Sequence, residues 1–213
     1  MMKLYGYWRS SASYRVRIAL ALKGLEVKHI AVNLRDGAQL DAPHIARNPQ
    51  GLVPVLELGD GTQLTQSLAI IDYLEAVYPE PSLLPDDPVM QAKIRAAALA
   101  IAADIAPIQN LRVLKFIRAE HGQDDEGVKA WATHWIKTGF KAVEKIAAQS
   151  DQSFLFSRAP GYFECCLMPQ IYNAKRFGVD MSAFPNLVEI EQFASAHPAF
   201  IAAHPSAQSD AVV

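Results

Sequence analysis

In the stretch "YWRSSASYRVRIALALKG", residues 7–24, Ser10 and Ser11 stand together where an apolar, strand-like run gives way to a helical one. Hydroxyls at such a junction can donate to an anion, and the first amides of a helix add donors and positive potential. A capping hydroxyl is the plainer use of a serine there, so the pair marks a site only in company with other residues. Ala12 follows the serines, and no cysteine stands among them. Thiol–disulfide chemistry at this turn would need its own thiol and is disfavoured. The only cysteines, Cys165 and Cys166, are adjacent and read as small buried thiols rather than as part of a zinc site or a disulfide framework. The six histidines show no spacing that suggests a metal or a general base, so no metal is expected.

The elements that must position the serines can be read around them. "KLYGYW" is a short strand, and residues 11–23 place Val16, Ala19, Leu20 and Lys23 at helical spacing with Gly24 as the stop. "VKHIAVNL" is a second strand, so the order calls for a parallel pair with a right-handed crossover. "GLVPVLELGDGTQLT" reads as a hairpin around Gly-Asp-Gly, and "QSLAIIDYLEAVYP" as a closing helix capped by Ser67. Residues 1–78 therefore form a βαβ-ββα unit. Residues 79–88, with Pro79, Pro81, Pro85 and Pro88, read as a linker that no helix should cross. Residues 89–213 are helical in pattern, over about 89–120, 124–149, 162–177 and 187–196, with Asp104 and Pro107 kinking the first segment.

Composition bounds the partners. With 20 basic against 22 acidic residues the net charge is -2, which provides no field to gather a nucleic acid. No unbroken apolar run reaches the ~18 residues of a membrane span, and "MMKLYGYW" lacks the shape of a signal peptide. The expectation is a cytoplasmic protein with no nucleic-acid or membrane partner.

The order βαβ, ββα, proline-rich linker and helical remainder resembles the glutathione transferases over essentially the whole chain. "SSASYRVRIALALKG", "NPQGLVPVL", "QSLAIIDYLE" and "PIQNLRVL" are similar to the zeta class, which includes maleylacetoacetate and maleylpyruvate isomerases. The resemblance implies an α/β thioredoxin-like domain that binds glutathione, an all-α domain that contributes the second-substrate site, and a homodimer.

It also assigns residues. Glutathione's sulfur must be held as thiolate, and lowering a thiol pKa calls for donors or positive potential. Ser10 is the leading candidate for the sulfur, with Ser11 second and expected mainly to cap the helix; Arg9 lies beside them. Val53-Pro54 matches a cis-proline whose preceding backbone pairs with the cysteinyl part of the tripeptide. Gln66 and Ser67 open a helix whose free donors suit the γ-glutamyl carboxylate, and Gln39 is placed at the glycyl end. Gln109 and Asn110 in "PIQNLRVL" join the glutathione-binding set, and Arg9 and Arg176 are set against the carboxylates of a dianionic second substrate.

Two letters depart from the family pattern: Ala12 replaces the frequent cysteine, and Gly161 with Glu164 replaces a threonine–aspartate capping box, predicting a weaker helix start. The implied chemistry is thiolate addition to a cis double bond, rotation and elimination to the trans product, with glutathione regenerated, in the catabolism of tyrosine-type or gentisate-type aromatics. Two alternatives stand beside it: conjugation or dehalogenation of small electrophiles such as α-halo acids, and a non-catalytic binding module. The retained serines and glutamine argue against the last.

Overall fold

A computed structural model describes residues 1–212. The chain divides into two compact units, Met1–Leu83 with Ser195–Val213, and Leu84–Ala194. The C-terminal stretch thus groups with the first unit, whereas the sequence pattern assigned all of 89–213 to the helical domain. A buried arginine on the first helix explains the difference. Arg17 donates through Nε to the Ala203 carbonyl (3.0 Å) and through Nη2 to that of Trp8 (2.8 Å). The Trp8 amide in turn donates to the Asp210 carboxylate at 3.0 Å. These bonds tie a chain end that has little periodicity of its own.

The first unit runs β1 (Lys3–Gly6), α1 (Ser11–Leu22), β2 (Lys28–Ala31), a 3₁₀ turn (Ala38–Leu40), α2 (Ala42–Ile45), β3 (Val55–Glu57), β4 (Gln63–Thr65) and α3 (Ser67–Val77). The strand order is β2-β1-β3-β4. β1 pairs parallel with β2, Leu4 opposite His29, and antiparallel with β3, Leu4 opposite Leu56. The expected crossover and hairpin are therefore present, and the short helices in 38–45 are additions that periodicity did not signal. α1 packs against α3, and Val16, Ile18, Ile70, Ile71 and Leu74 are fully buried.

The second unit holds α4 (Pro88–Leu99), a π turn (Ala100–Ile105), a 3₁₀ turn (Pro107–Gln109), α5 (Leu111–Glu120), α6 (Asp125–Ala147), α7 (Tyr162–Arg176) and α8 (Pro185–Ser195). A last helix, α9 (Pro198–Ala203), belongs to the C-terminal stretch and packs on α1. The linker expectation needs one change: Pro88 opens α4, capped by Asp87, because the first helical position has no amide bond to lose. The kink expected near Asp104 and Pro107 is a full break through π and 3₁₀ turns. There α6 approaches closely: a Cβ on Gly139 would lie 2.2 Å from Ile105 Cγ1.

By length and composition alone, Pro88–Glu120 taken as one run is apolar enough to cross a membrane, but the π and 3₁₀ turns divide it into separate elements. The expectation of no unbroken apolar run of that length holds here too, because Gln91, Lys93, Arg95 and Asp104 interrupt the segment.

Candidate active site

The N-cap of α1 is Ser10, with φ -68° and ψ 120°, and its Oγ accepts the Ser13 amide at 3.2 Å. This moves the cap from Ser11, where it was expected, to Ser10; Ser11 is the first helical residue. Capping occupies a lone pair of the Ser10 oxygen and leaves its proton to be donated. One hydroxyl can thus close the helix and bind an anion. The Ser11 and Ala12 amides lie in the first turn, where a helix offers no carbonyl one turn back. Ser10, Ser11 and Ala12 are partly exposed, whereas 13–20 are all buried. β1 delivers the chain to this point through Gly6, where a Cβ would meet Ser13 Oγ at 3.0 Å. Arg9 is partly exposed, its guanidinium carbon 5.5 Å from the Trp8 ring centroid.

A second helix N-terminus lies in the same unit. The cap position of α3 is Gln66, not Ser67 as the sequence suggested, and Gln66 makes no side-chain capping bond. Its backbone, at φ 66° and ψ 115°, is a conformation costly for any side chain, on the order of 1–3 kcal/mol. Strain of this kind is retained where the surroundings enforce a geometry. Gln66 Nε2 donates to Gln50 Oε1 at 2.8 Å, and Ser67 Oγ accepts from Arg15 Nη1 at 3.3 Å.

Between the two termini, the Val53–Pro54 peptide is cis, as the resemblance implied. The Leu52 carbonyl just before it accepts from His44 Nε2 (2.9 Å) and Asn48 Nδ2 (2.8 Å). Val53 and Ala38 pack on a cluster of Tyr5, Val32 and Val55. Gln39 follows Ala38 in the 3₁₀ turn, and its Oε1 is buried without a hydrogen-bond partner. Amide and hydroxyl donors at two helix termini suit a thiolate and carboxylates, and the unsatisfied Gln39 amide oxygen on the loop suits a peptide N–H.

In the second unit Gln109 ends the 3₁₀ turn, buried, and its Oε1 accepts from Asn173 Nδ2 at 2.7 Å. Asn110 is the N-cap of α5, its Oδ1 accepting the Arg112 amide at 3.2 Å. Arg176 ends α7 one turn beyond Asn173, exposed, its guanidinium carbon 4.9 Å from the Phe177 ring centroid. The structure therefore brings Ser10 and Ser11 together, joins Gln66 to Gln50 and Ser67 to Arg15, and places Gln109 against Asn173.

Sequence reasoning missed Gln50, Arg15 and Asn173. Gln50 sits inside the quoted "NPQG", and Arg15 is a charge within the run 13–20 that the helix buries; either could have been suspected. Asn173 carried no signal, since its partner is 64 residues away.

At the start of α7, Gly161 makes no side-chain capping bond and Glu164 reaches back, as the sequence suggested. Glu164 accepts the Gly161 amide at 2.8 Å and also the Leu155 amide at 2.9 Å, so its carboxylate ties the helix start to the preceding segment.

Comparison with known proteins decides the family. Residues 4–82 match the glutathione S-transferase N-terminal domain. The chain is 47% identical over 211 residues to maleylacetoacetate isomerase of Pseudomonas aeruginosa, covering 98% of both chains. The structure superposes on a maleylpyruvate isomerase described as a bacterial zeta-class glutathione transferase, with a TM-score of 0.96 and 39% identity over 99% of this chain and 100% of that one. The chain belongs to the zeta-class glutathione transferases.

A further relative, maleylacetoacetate isomerase from Anaeromyxobacter dehalogenans, superposes with a TM-score of 0.90 at 40% identity, covering 100% of this transferase and 98% of that chain. It holds dicarboxyethyl glutathione and citrate in its active site.

Proposed function

We propose that this transferase is a glutathione-dependent cis–trans isomerase of a maleyl dicarboxylate, maleylacetoacetate or maleylpyruvate, with its glutathione held across the N-termini of α1 and α3. The observation that carries the reading is Ser10, whose oxygen accepts the Ser13 amide as the cap of α1 and whose hydroxyl proton is therefore there to donate at the positive end of the helix. The dicarboxyethyl thioether bound by the Anaeromyxobacter relative is what thiol addition to a four-carbon unsaturated dicarboxylate gives, which favours addition chemistry over displacement of a halide.

When bound, glutathione supplies a thiolate that adds to the cis double bond, frees rotation about it and is expelled to leave the trans product. The protein's part follows from its own groups. Ser10 donates its proton to the sulfur, and the first-turn amides and the dipole of α1 add positive potential, lowering the thiol pKa. Ser11 is the second donor. The Ser67 hydroxyl and the first amides of α3 take the γ-glutamyl carboxylate, with the Gln66 amide group steered by Gln50. Val53 offers its backbone to the cysteinyl part and Gln39 its amide to the glycyl end. Gln109 and Asn110 complete the glutathione set from the helical unit. Arg9 and Arg176 orient the carboxylates of the second substrate and offset charge that develops beside them. Ala12 has no group to contribute, so the nucleophile arrives with glutathione.

A homodimer in the cytoplasm completes the proposal; Cys165 and Cys166, buried and in no disulfide, suit a reducing compartment. The test is incubation with each maleyl substrate with and without glutathione, following the cis enone and the free thiol. Loss of the enone only when glutathione is present, with the thiol undiminished at the end, supports isomerisation. Consumption of thiol, or turnover confined to a halo acid, would replace it with transferase chemistry.

A further inference from the structure

Arg15 has no place in the account so far, yet it lies at the back of the α3 terminus. It is 4% exposed, one turn along α1 from Ser11, in the face that packs on α3. Its Nη1 donates to Ser67 Oγ, which is itself 6% exposed, at 3.3 Å. A guanidinium carries donors and no acceptor. Ser67 must therefore accept in this bond, and its single proton has to point to some other acceptor. Beside it, the Ser67 amide is in the first turn of α3 and the cap residue Gln66 supplies no side-chain acceptor. The Ser67 hydroxyl proton and the first amides of α3 thus both offer donors at this end.

We propose that Arg15 is a positioning residue that fixes the polarity of the Ser67 hydroxyl and so makes this end of the site selective for an ionised carboxylate. The proposal rests on the reading that Ser67 takes the γ-glutamyl carboxylate, and goes beyond it by naming what aims the hydroxyl. A serine hydroxyl left to itself can rotate to donate or accept and would tolerate a neutral or donor group. With Arg15 holding one lone pair, only an acceptor is matched, and the buried positive charge behind the oxygen strengthens the bond to an anion.

The test is calorimetric titration of the full-length protein with glutathione and with the analogue in which 4-aminobutyrate replaces the γ-glutamyl residue, which lacks only the α-carboxylate. The native protein should prefer glutathione roughly ten- to hundredfold, the range expected for a hydrogen bond to a charged group. Arg15→Met should shrink that preference to a few fold, as should Ser67→Ala. The double variant should lose no more discrimination than either alone, and Arg15→Lys, which can still donate, should keep most of it. Arg15→Gln, too short to reach Ser67, is read in the same way should Arg15→Met not fold. Equal weakening of both ligands by the Arg15 variants would assign the residue a structural role, and an unchanged preference would deny it any role; either overturns the proposal. A native protein that binds both ligands alike would instead show that the carboxylate reading of Ser67 is wrong.

Discussion

The Ser13 amide donates to Ser10 Oγ across 3.2 Å, so the residue expected to hold the sulfur is also the residue that starts the helix. Ser10→Ala removes both roles. Its unfolding free energy should fall by about 1 kcal/mol, the usual cost of a lost N-cap, while Ser11→Ala should change stability by no more than a few tenths. Denaturant unfolding of the two variants checks this, and equal losses would mean that Ser11 supports the helix in a way the cap geometry does not account for.

A different bond holds the base of the first unit. Lys23 Nζ is sealed from solvent, 2.7 Å from Glu75 Oε2, and donates to the carbonyls of Tyr78 (2.6 Å) and Pro81 (3.0 Å). Glu75 also accepts the Leu83 amide at 3.0 Å. Lys23→Met would leave that carboxylate and two carbonyls without their cation. Breaking such a pair costs about 3–5 kcal/mol. A clearly lowered melting temperature is expected, with any residual folded protein still binding glutathione.

Glu164 gives a pH prediction. Burial pushes its carboxyl above the ordinary value of 4.5, against the lowering effect of the Leu155 and Gly161 amides. A raised folded-state pKa means the native state binds the proton more tightly than the unfolded chain. Its stabilising contribution is then complete below pH about 4.5 and is lost as pH rises through the folded value. The stability difference between the native protein and Glu164→Gln should therefore shrink with rising pH across that window. A difference that stays flat, or grows, would show that the carboxylate is not destabilised by burial.

Arg176 is tested by substrate type. Arg176→Ala should raise KM for a maleyl dicarboxylate roughly tenfold or more, the range of a lost charge-assisted contact, and leave an uncharged electrophile nearly unaffected. Equal losses for both would assign Arg176 a structural role on α7.

Much of this was legible in the letters. Strand–helix–strand order, the hairpin at Gly-Asp-Gly and the placing of Ser10–Ser11 and Gln66–Ser67 at helix starts follow from periodicity and turn chemistry, which are local, while their part in a glutathione site came from the family resemblance. What was not legible depends on contacts distant in sequence. The pairing of Asn173 with Gln109 and the contact of Ala203 with Arg17 leave no periodic trace. The caps were misplaced by one residue at both site helices, because a serine reads the same at the cap and at the first helical position. The unusual backbone of Gln66 decides the second case, and only coordinates show it.

The central claim is that the N-terminus of α1 holds glutathione as a thiolate through the Ser10 hydroxyl. Ultraviolet titration of the thiolate in the enzyme–glutathione complex tests it most directly, in the native protein and in Ser10→Ala and Ser11→Ala. The account predicts a bound-thiol pKa well below the free value of about 8.5 in the native protein. It predicts a clear rise toward that value in Ser10→Ala, a smaller rise in Ser11→Ala, and a fall in isomerase turnover for Ser10→Ala of about a hundredfold. A titration moved by Ser11→Ala and not by Ser10→Ala would contradict it.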